Sequence, residues 1–470
     1  MNGRTRSRTK ILPKAILLVI ALIALAMPAT STAPRKAEAE PRGPNIVFVM
    51  TDDMREDEMS RVGGLVRLAR SGTTFENSFV TDPLCCPSRA TALRGQYAHN
   101  HGVVSNHPPT GGWRKFKARG HERSALPVWL KRSGYKTGLF GRYLNGYKGK
   151  GAPPGWDYWV PIKALSSTAN VNGTVKRYSR PTYGDDIAGK EAASFIRANK
   201  GKTPLFLALW FKSPHAPYNP PKRYANRHNG ASFDKPPSFG ETDVSDKPGW
   251  VRNLPQSTDN DWNAAVADRR NRLEMLEAVA ANVERVKGAL RETGDLKNTY
   301  FVFTSDNGFL FGEHRANGKK NVYEESIGVP LTISGPGVSR GALRKELVTN
   351  NDLAPTILSL ASTRQKSFFD GRSLKPLLKA GTSPSWRNAF LVEHWRDRTT
   401  AIPDYKAVRT KDRIYVRYST GEEELYDLAA DPYQLENLAG SRPLEKADLK
   451  SKLDRLIGCA GGGCRSAEGP

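Results

Sequence analysis

The chain has 470 residues, with 72 Lys and Arg against 47 Asp and Glu, a formal charge of +25. That length exceeds one ordinary core and implies two domains, or one large α/β domain with a smaller partner. Gly, Pro and charged residues stand at ordinary globular levels, which excludes a compositionally biased chain.

Arg4, Arg6, Arg8, Lys10 and Lys14 precede the apolar run Ala15 to Met27, and no acid occurs before Glu38. Thirteen apolar residues are too few for a spanning helix, which takes about twenty. Bases before the run and Pro28 with small residues after it read as a secretory signal peptide. Cleavage is expected after Ala29, Ala33 or Ala39, with Pro34 disfavouring the second. Residues 1–33 are read as the signal and residues 34–43 (PRKAEAEPRG) as a loose linker. An uncleaved anchor is the alternative, and no second apolar run is long enough to span, so no stable membrane span is expected. Without the five leading bases the balance is 67 to 47, or +20. The mature chain therefore still draws polyanions: sulfated glycans, nucleic acid or an anionic surface. No nucleic-acid-binding motif accompanies the charge, and no nucleic-acid partner is expected.

Asn45 to Met50 (NIVFVM) is a continuous, branched apolar run that suits a buried central strand. Asp52 and Asp53 follow at once, where α/β sheets place ligands; alone, they are equally a helix cap or a polar turn. Helical spacing spans Met59 to Ser71, and Thr74 to Val80 predicts a short strand. Cys85-Cys86-Pro87-Ser88-Arg89 then opens a helix, with Pro87 in its first turn. A thiol at a helix N-terminus beside Arg89 favours tetrahedral oxyanions such as sulfate or phosphate. A structural Cys pair on a buried turn is the plain alternative. Leu126 to Ser133 reads as a helix, and Lys136 to Phe140 as a strand leading to Gly141, Arg142 and Leu144. Asp185 to Asn199 is a helix, and Pro204 to Phe211 a buried strand followed by His215. Residues 217–260 form a long Pro-rich loop over the surface or the substrate. Trp262 to Thr293 is helical, Asn298 to Thr304 a strand followed by Asp306 and Asn307, Val329 to Ile333 another strand, and Asn351 to Ala361 a helix. Alternating strands and helices imply a mainly parallel α/β sheet.

After about residue 365 the texture changes. Phe390 to Glu393, Tyr405 to Arg409, Arg413 to Tyr418 and Glu423 to Asp427 predict a small antiparallel sheet, closed by a helix from Leu444 to Ile457. The domains are therefore 44–365, catalytic, and 366–470, a C-terminal subdomain. Cys459 and Cys464 flank a flexible loop that a disulfide can close, which export permits. A bond between adjacent Cys85 and Cys86 would be strained, and neither pair has zinc-site spacing.

Asp52, Asp53, the Cys85 turn, His215, Asp306 and Asn307 together describe one site at one edge of a sheet. Carboxylates and an amide oxygen favour Ca²⁺ or Mg²⁺ over zinc.

Cys-x-Pro-Ser-Arg-x-x-x-Leu-x-Gly, matched by Cys85 to Gly95, is the signature of the formylglycine-dependent sulfatases. The order NIVFVMTDD, CCPSR, GRYLNGY, PHAPY, SDNG and GKKNVYEE also resembles that family over residues 44–440. The resemblance implies an alkaline-phosphatase-like fold: a central mixed, mainly parallel sheet flanked by helices, plus a small C-terminal α+β subdomain with an antiparallel sheet. It implies that a formylglycine-generating enzyme converts Cys85 to formylglycine. That residue would hold Ca²⁺ with Asp52, Asp53, Asp306 and Asn307, with Mg²⁺ as the alternative. Arg89 would steady the formylglycine hydrate and the metal site. His215 and Lys319 would bind sulfate or assist its leaving oxygen, and Lys320 is the register alternative to Lys319. Two departures stand out: Arg142 replaces the usual Lys, and Leu144 stands where many members have His. The N-acetylglucosamine-6-sulfatase and heparan 6-O-endosulfatase branch often lacks that His and resembles this chain at CCPSR and at Pro153 to Trp156. The expected activity is removal of sulfate from a sulfated sugar by a secreted enzyme. The rivals are a formylglycine-dependent phosphoester or phosphonate hydrolase and a non-catalytic binder of sulfated polysaccharide. His99, His101, Glu313 and His314 are expected to be peripheral, and Asn172 heads a glycosylation sequon.

Overall fold

The computed structural model describes residues 43–149, 151–162, 168–178, 182–364, 366–381, 384–396 and 399–470. The expected signal peptide and, apart from Gly43, the linker lie outside them.

Strand β1 (Asn45–Asp52) is buried at every position. Ile46, Phe48 and Met50 enter one apolar cluster, and Val47 and Val49 enter another. Cover on both faces is why this strand reads as an unbroken apolar run. It lies within an eight-stranded sheet. The other strands, in chain order, are β2 (Thr73–Phe75), β3 (Lys136–Gly141), β4 (Tyr158–Pro161), β5 (Leu205–Pro214), β6 (Thr299–Ser305), β7 (Leu331–Ser334) and β8 (Ala342–Arg344). Across the sheet they run β8, β2, β7, β6, β1, β5, β3, β4. β1 is parallel to β5 and β6, and β3 is parallel to β5 and β4. β7 runs antiparallel to β6 and β2, so the sheet is mixed and mainly parallel. Apolar content predicts β7 as a strand but carries no signal of its direction.

Helices α1 (Gly63–Arg70), α2 (Cys85–Arg94), α3 (Gly112–Ala118), α4 (Leu126–Arg132), α5 (Gly184–Ala198), α6 (Asp259–Thr293) and α7 (Leu353–Leu360) complete the layers. α5 and α6 cover the Val47 face through Ile187, Leu273, Leu276 and Val279. α2, α4 and α7 cover the other through Leu93, Trp129 and Ile357. The long α6 starts on Thr258, whose hydroxyl accepts the Asp261 N–H at 3.3 Å; it stops at Gly294, φ 83°. Those are the expected start and stop chemistries. A hairpin at Thr168–Val171 and Thr174–Arg177 was not legible in sequence, because its second strand is exposed throughout and shows no buried alternation.

The C-terminal strands β9 (Ala389–His394), β10 (Tyr405–Thr410), β11 (Arg413–Tyr418) and β12 (Glu423–Asp427) pair antiparallel in order. Helix α8 (Pro443–Ile457) packs Leu449, Leu453 and Leu456 onto Leu391, Val408, Tyr415 and Leu425. The opposite face buries Phe390, Val392 and Ala407 with Phe79, on the short strand Ser78–Phe79, and with Val322 and Tyr323. Cys459 and Cys464 are disulfide-bonded, whereas Cys85 and Cys86 are free and buried. Among the described residues, no helix is long and apolar enough to cross a membrane.

Candidate active site

Four strand ends converge. β1 delivers Asp52 and Asp53, β6 leads into Asp306 and Asn307, β5 into His215, and β3 into Arg142. All four are carboxyl ends, where open α/β sheets gather ligands. α2 presents Cys85 as its first residue. Gly141 makes the β3 exit feasible. Its φ is 117°, and a Cβ there would lie 1.8 Å from Trp210 O. Without a Cβ the strands stay close, and the Arg142 N–H donates to Trp210 O at 2.7 Å.

The Cys85 thiol faces Asp52 Oδ1 at 3.6 Å. Lys319 Nζ donates to Cys85 Sγ at 3.0 Å and also contacts Asp53 Oδ1. Burial pushes the thiol up to about 12; Lys319 opposes this, and Asp52, Asp306 and Asp53 reinforce it. The sulfur therefore keeps its proton at neutral pH. Lys320, the register alternative, turns instead to Thr399 Oγ1 at 2.5 Å.

Arg89 is fully buried. Its Nε donates to Asp306 Oδ2 at 2.8 Å, its Nη2 lies 3.2 Å from Asp52 Oδ2, and its Nη1 donates to Arg142 O at 2.8 Å. Arg142 Nη1 lies 2.5 Å from the same Asp52 oxygen. Burial opposes ionisation of Asp52, but Arg142 and Arg89 outweigh it and hold its carboxyl well below the usual range. Asp306 moves the other way, raised by burial and by Asp52. Asp306 Oδ1 also accepts the Asp53 N–H at 3.1 Å.

Three carboxylates (Asp52, Asp53, Asp306) thus meet three cations (Arg89, Arg142, Lys319) in one buried cluster. His215 Nδ1 lies 2.7 Å from Ala216 O, and Nε2 lies 3.7 Å from Asp53 Oδ2. The His215 side chain is 28 % exposed, against 19 % for Arg142 and 13 % for Lys319. These three mark the mouth of the site, and Arg89 its floor.

The donor set suits a hard dication. Ligand atoms of Asp52, Asp53, Cys85 and His215 lie within 4.8 Å of one another. Asn307 Nδ2 donates to Asp53 Oδ1 at 2.7 Å, while its buried Oδ1 has no hydrogen-bond partner among the described residues. An oxygen-rich group with a spare amide oxygen fits Ca²⁺ or Mg²⁺.

Every residue singled out as catalytic or metal-binding in the sequence therefore falls in this cluster. The peripheral candidates do not join it. His101 is buried against Thr91 Oγ1 and the Val103 N–H. His314 is taken by Glu241 and stacks on Tyr323, and Glu313 pairs with Arg55. His99 binds Glu393.

Sequence reasoning missed Lys212, Glu58 and Arg272. Lys212 Nζ donates to His215 O at 3.2 Å; its place three residues before His215 was a usable signal. Arg272 and Glu58, fully buried, form an ion pair at 2.7 Å with no motif to mark it.

A model of the sulfatase family matches residues 44–363. A model described as N-sulphoglucosamine sulphohydrolase, C-terminal, matches residues 312–458. The chain is 33 % identical over 387 residues to an extracellular sulfatase SULF-1 homolog of Drosophila melanogaster, covering 77 % of this chain and 34 % of that one. It thus spans about a third of that relative's length. It is 29 % identical to the N-acetylglucosamine-6-sulfatase of Capra hircus, covering 90 % of this chain and 85 % of the relative. Among solved structures, BT4656 in complex with its substrate D-glucosamine-2-N,6-O-disulfate superposes with a TM-score of 0.78 at 22 % identity, covering 92 % of this chain and all of that one. That last likeness is one of fold.

Proposed function

Because this chain belongs to the sulfatase family, we propose that it hydrolyses the sulfate ester of a glucosamine-type sugar, with N-acetylglucosamine 6-sulfate in a glycan as the leading substrate. The observation that carries this reading is the contact of Lys319 Nζ with Cys85 Sγ at 3.0 Å, inside a cluster where three cations match three carboxylates. The N-acetylglucosamine-6-sulfatase relative and the basic chain support the choice of substrate. We assign secretion from residues 1–33, in keeping with a relative named extracellular.

Cys85 is the residue a formylglycine-generating enzyme would mature, and the hydrated aldehyde supplies a hydroxyl nucleophile towards sulfur. Asp52, Asp53, Asp306 and Asn307 would hold Ca²⁺, or Mg²⁺, which supplies positive charge to the sulfate oxygens. Arg89 works behind them. Bonded to Asp306 and lying against Asp52, it fixes the carboxylates that face the substrate. Lys319 and Arg142, at the mouth, meet the sulfate oxygens and the charge that develops on them. His215 directs Nδ1 at Ala216 O, which leaves Nε2 to deliver a proton to the departing sugar oxygen.

The first test is the mass of the tryptic peptide from Ser71 to Arg89, with sulfate release from N-acetylglucosamine 6-sulfate measured alongside. The expected result is an aldehyde at Cys85 and turnover that Cys85→Ala abolishes while substrate still binds. Full activity in Cys85→Ala would sink the mechanism. Faster hydrolysis of the matched phosphate ester would favour the phosphoester rival, and an intact thiol with binding but no turnover the binder.

A further inference from the structure

Between Asp82 and Asp157 the chain carries thirteen Lys and Arg and one acid, Glu122. About half of the chain's net charge of +25 is therefore carried by the segment that holds the Cys85 helix. Part of it is spent locally: Arg89 and Arg142 face Asp52, and Lys131 and Lys136 pair with Asp157. A run of five is not. Arg114, Lys115 and Lys117 lie on α3, and Arg119 and Arg123 follow it; all but Lys115 are exposed. Among the described residues these five form no ion pair. The single acid beside them, Glu122, accepts the Trp113 indole N–H at 2.5 Å.

α3 leaves directly from the wall of a cleft. A cavity of about 690 Å³ is lined by Ser105, His107 and Thr110 on one side and by Arg396, Thr399 and Thr400 on the other. That volume lies in the range of a small-molecule site. Both walls are tied to the catalytic cluster. Asn106 Oδ1 accepts the Cys86 N–H at 2.9 Å, and Lys320, the neighbour of Lys319, donates to Thr399.

We propose that this cleft and the five cations beyond it form one continuous track for a sulfated polysaccharide. The units next to the cleaved ester lie in the cleft, and further sulfates lie along α3. The inference deepens the sulfatase reading and rests on it for which ester is cut. Five cations against the one acid leave a net positive field along this run, which raises the local concentration of a polyanion and steers its approach. A single sulfated sugar fills the catalytic mouth alone, so only a chain of several units can use the track.

The test compares the wild type with Arg114→Ser/Lys117→Ser/Arg119→Ser on two substrates, a heparin-derived octasaccharide and 4-nitrophenyl sulfate, at low and high salt. The expected result is a roughly tenfold higher KM for the octasaccharide, with a flatter salt dependence. The loss on 4-nitrophenyl sulfate is much smaller. An unchanged octasaccharide KM, or equal losses on both substrates, would overturn the track. If neither ester is hydrolysed by the wild type, the sulfatase reading fails, and elution from immobilised heparin decides the track alone. Earlier elution of the variant supports it, and identical elution overturns it. Equal competition by a charge-matched DNA duplex overturns its assignment to a sulfated glycan.

Discussion

Lys319 and Lys320 are adjacent in sequence and differ in what they touch. The first reaches Cys85 and Asp53; the second reaches Thr399. The backbone accounts for the split, since Lys320 has φ 80°, which turns its side chain away from that of its neighbour. Burial disfavours the Lys319 ammonium, but Asp53, Cys85 and Asp52 outweigh it and raise its pKa, so it stays a cation at neutral pH. A fixed cation at the mouth of a dry site acts on charge that develops in the transition state. Lys319→Ala is expected to lower kcat on 4-nitrophenyl sulfate by about 10²–10³-fold, and Lys320→Ala far less. Equal losses in the two variants would shift the catalytic register by one residue. Arg142 can be tested the same way. Its guanidinium lies against Asp52 while its side chain is partly open, so Arg142→Lys keeps the charge but loses the fork. It is expected to raise KM more than it lowers kcat, as read from steady-state curves.

At the scale of elements, α6 does more than cover the sheet. Arg272, at its middle, donates to both Glu58 oxygens at 2.7 and 2.8 Å, to Asp53 O at 2.5 Å and to Pro214 O at 3.5 Å. One guanidinium therefore ties the loop after β1 to the turn before His215. Asp53 has φ 69°, a left-handed conformation that costs a non-glycine residue about 1–2 kcal/mol, and Arg272 holds its carbonyl. Arg272→Met leaves the Glu58 carboxylate buried without its ion-pair partner, held only by the Arg55 N–H at 3.0 Å among the described residues, at an expected cost of about 3–5 kcal/mol in urea unfolding. Arg272→Met with Glu58→Met removes both charges and should recover most of that stability while kcat stays low. Recovery of kcat along with stability would reduce the pair to scaffolding. No sequence pattern pointed here, because Arg272 is one of five arginines on this helix and its role exists only through tertiary contacts. The residues that were legible are those whose chemistry is written locally. Asp52, Asp53, His215, Asp306 and Asn307 each lie within a few residues of the end of an apolar run, and a carboxyl end of a buried strand is a place the sequence can point to. The strands themselves were legible because two-sided burial demands continuous apolar residues. β4 and the exposed hairpin carry no such demand, and α3 shows charge rather than periodicity.

Across the whole molecule, the C-terminal sheet and the short helical turn after α2 share a charged clamp. His99, five residues past the end of α2, directs Nδ1 at Glu393 Oε2 and Nε2 at Cys459 O, each at 3.0 Å. Both partners are acceptors, so only the imidazolium satisfies both contacts with N–H donors. Lys406, on the adjacent strand β10, also meets Glu393 at 2.9 Å. Burial disfavours the His99 cation, but the Glu393 contact outweighs it and raises the His99 pKa above 6.5. Burial likewise opposes ionisation of Glu393, and Lys406 and His99 carry it down to about 2 from 4.5. The raised histidine contributes stability in full below about pH 6.5 and loses it as pH climbs through its folded value. The lowered glutamate contributes in full above about pH 4.5 and loses it as pH falls towards 2. Both terms are present together only between about pH 4.5 and 6.5. The difference in Tm between the wild type and His99→Gln should therefore be largest near pH 5.5 and shrink by pH 9, measured by thermal unfolding across buffers of equal ionic strength. A gap that stays constant over that range would mean the clamp works as a neutral hydrogen bond. A gap that widens towards pH 9 would reverse the sign of the His99 shift and move the charge that joins the two sheets onto Lys406 alone.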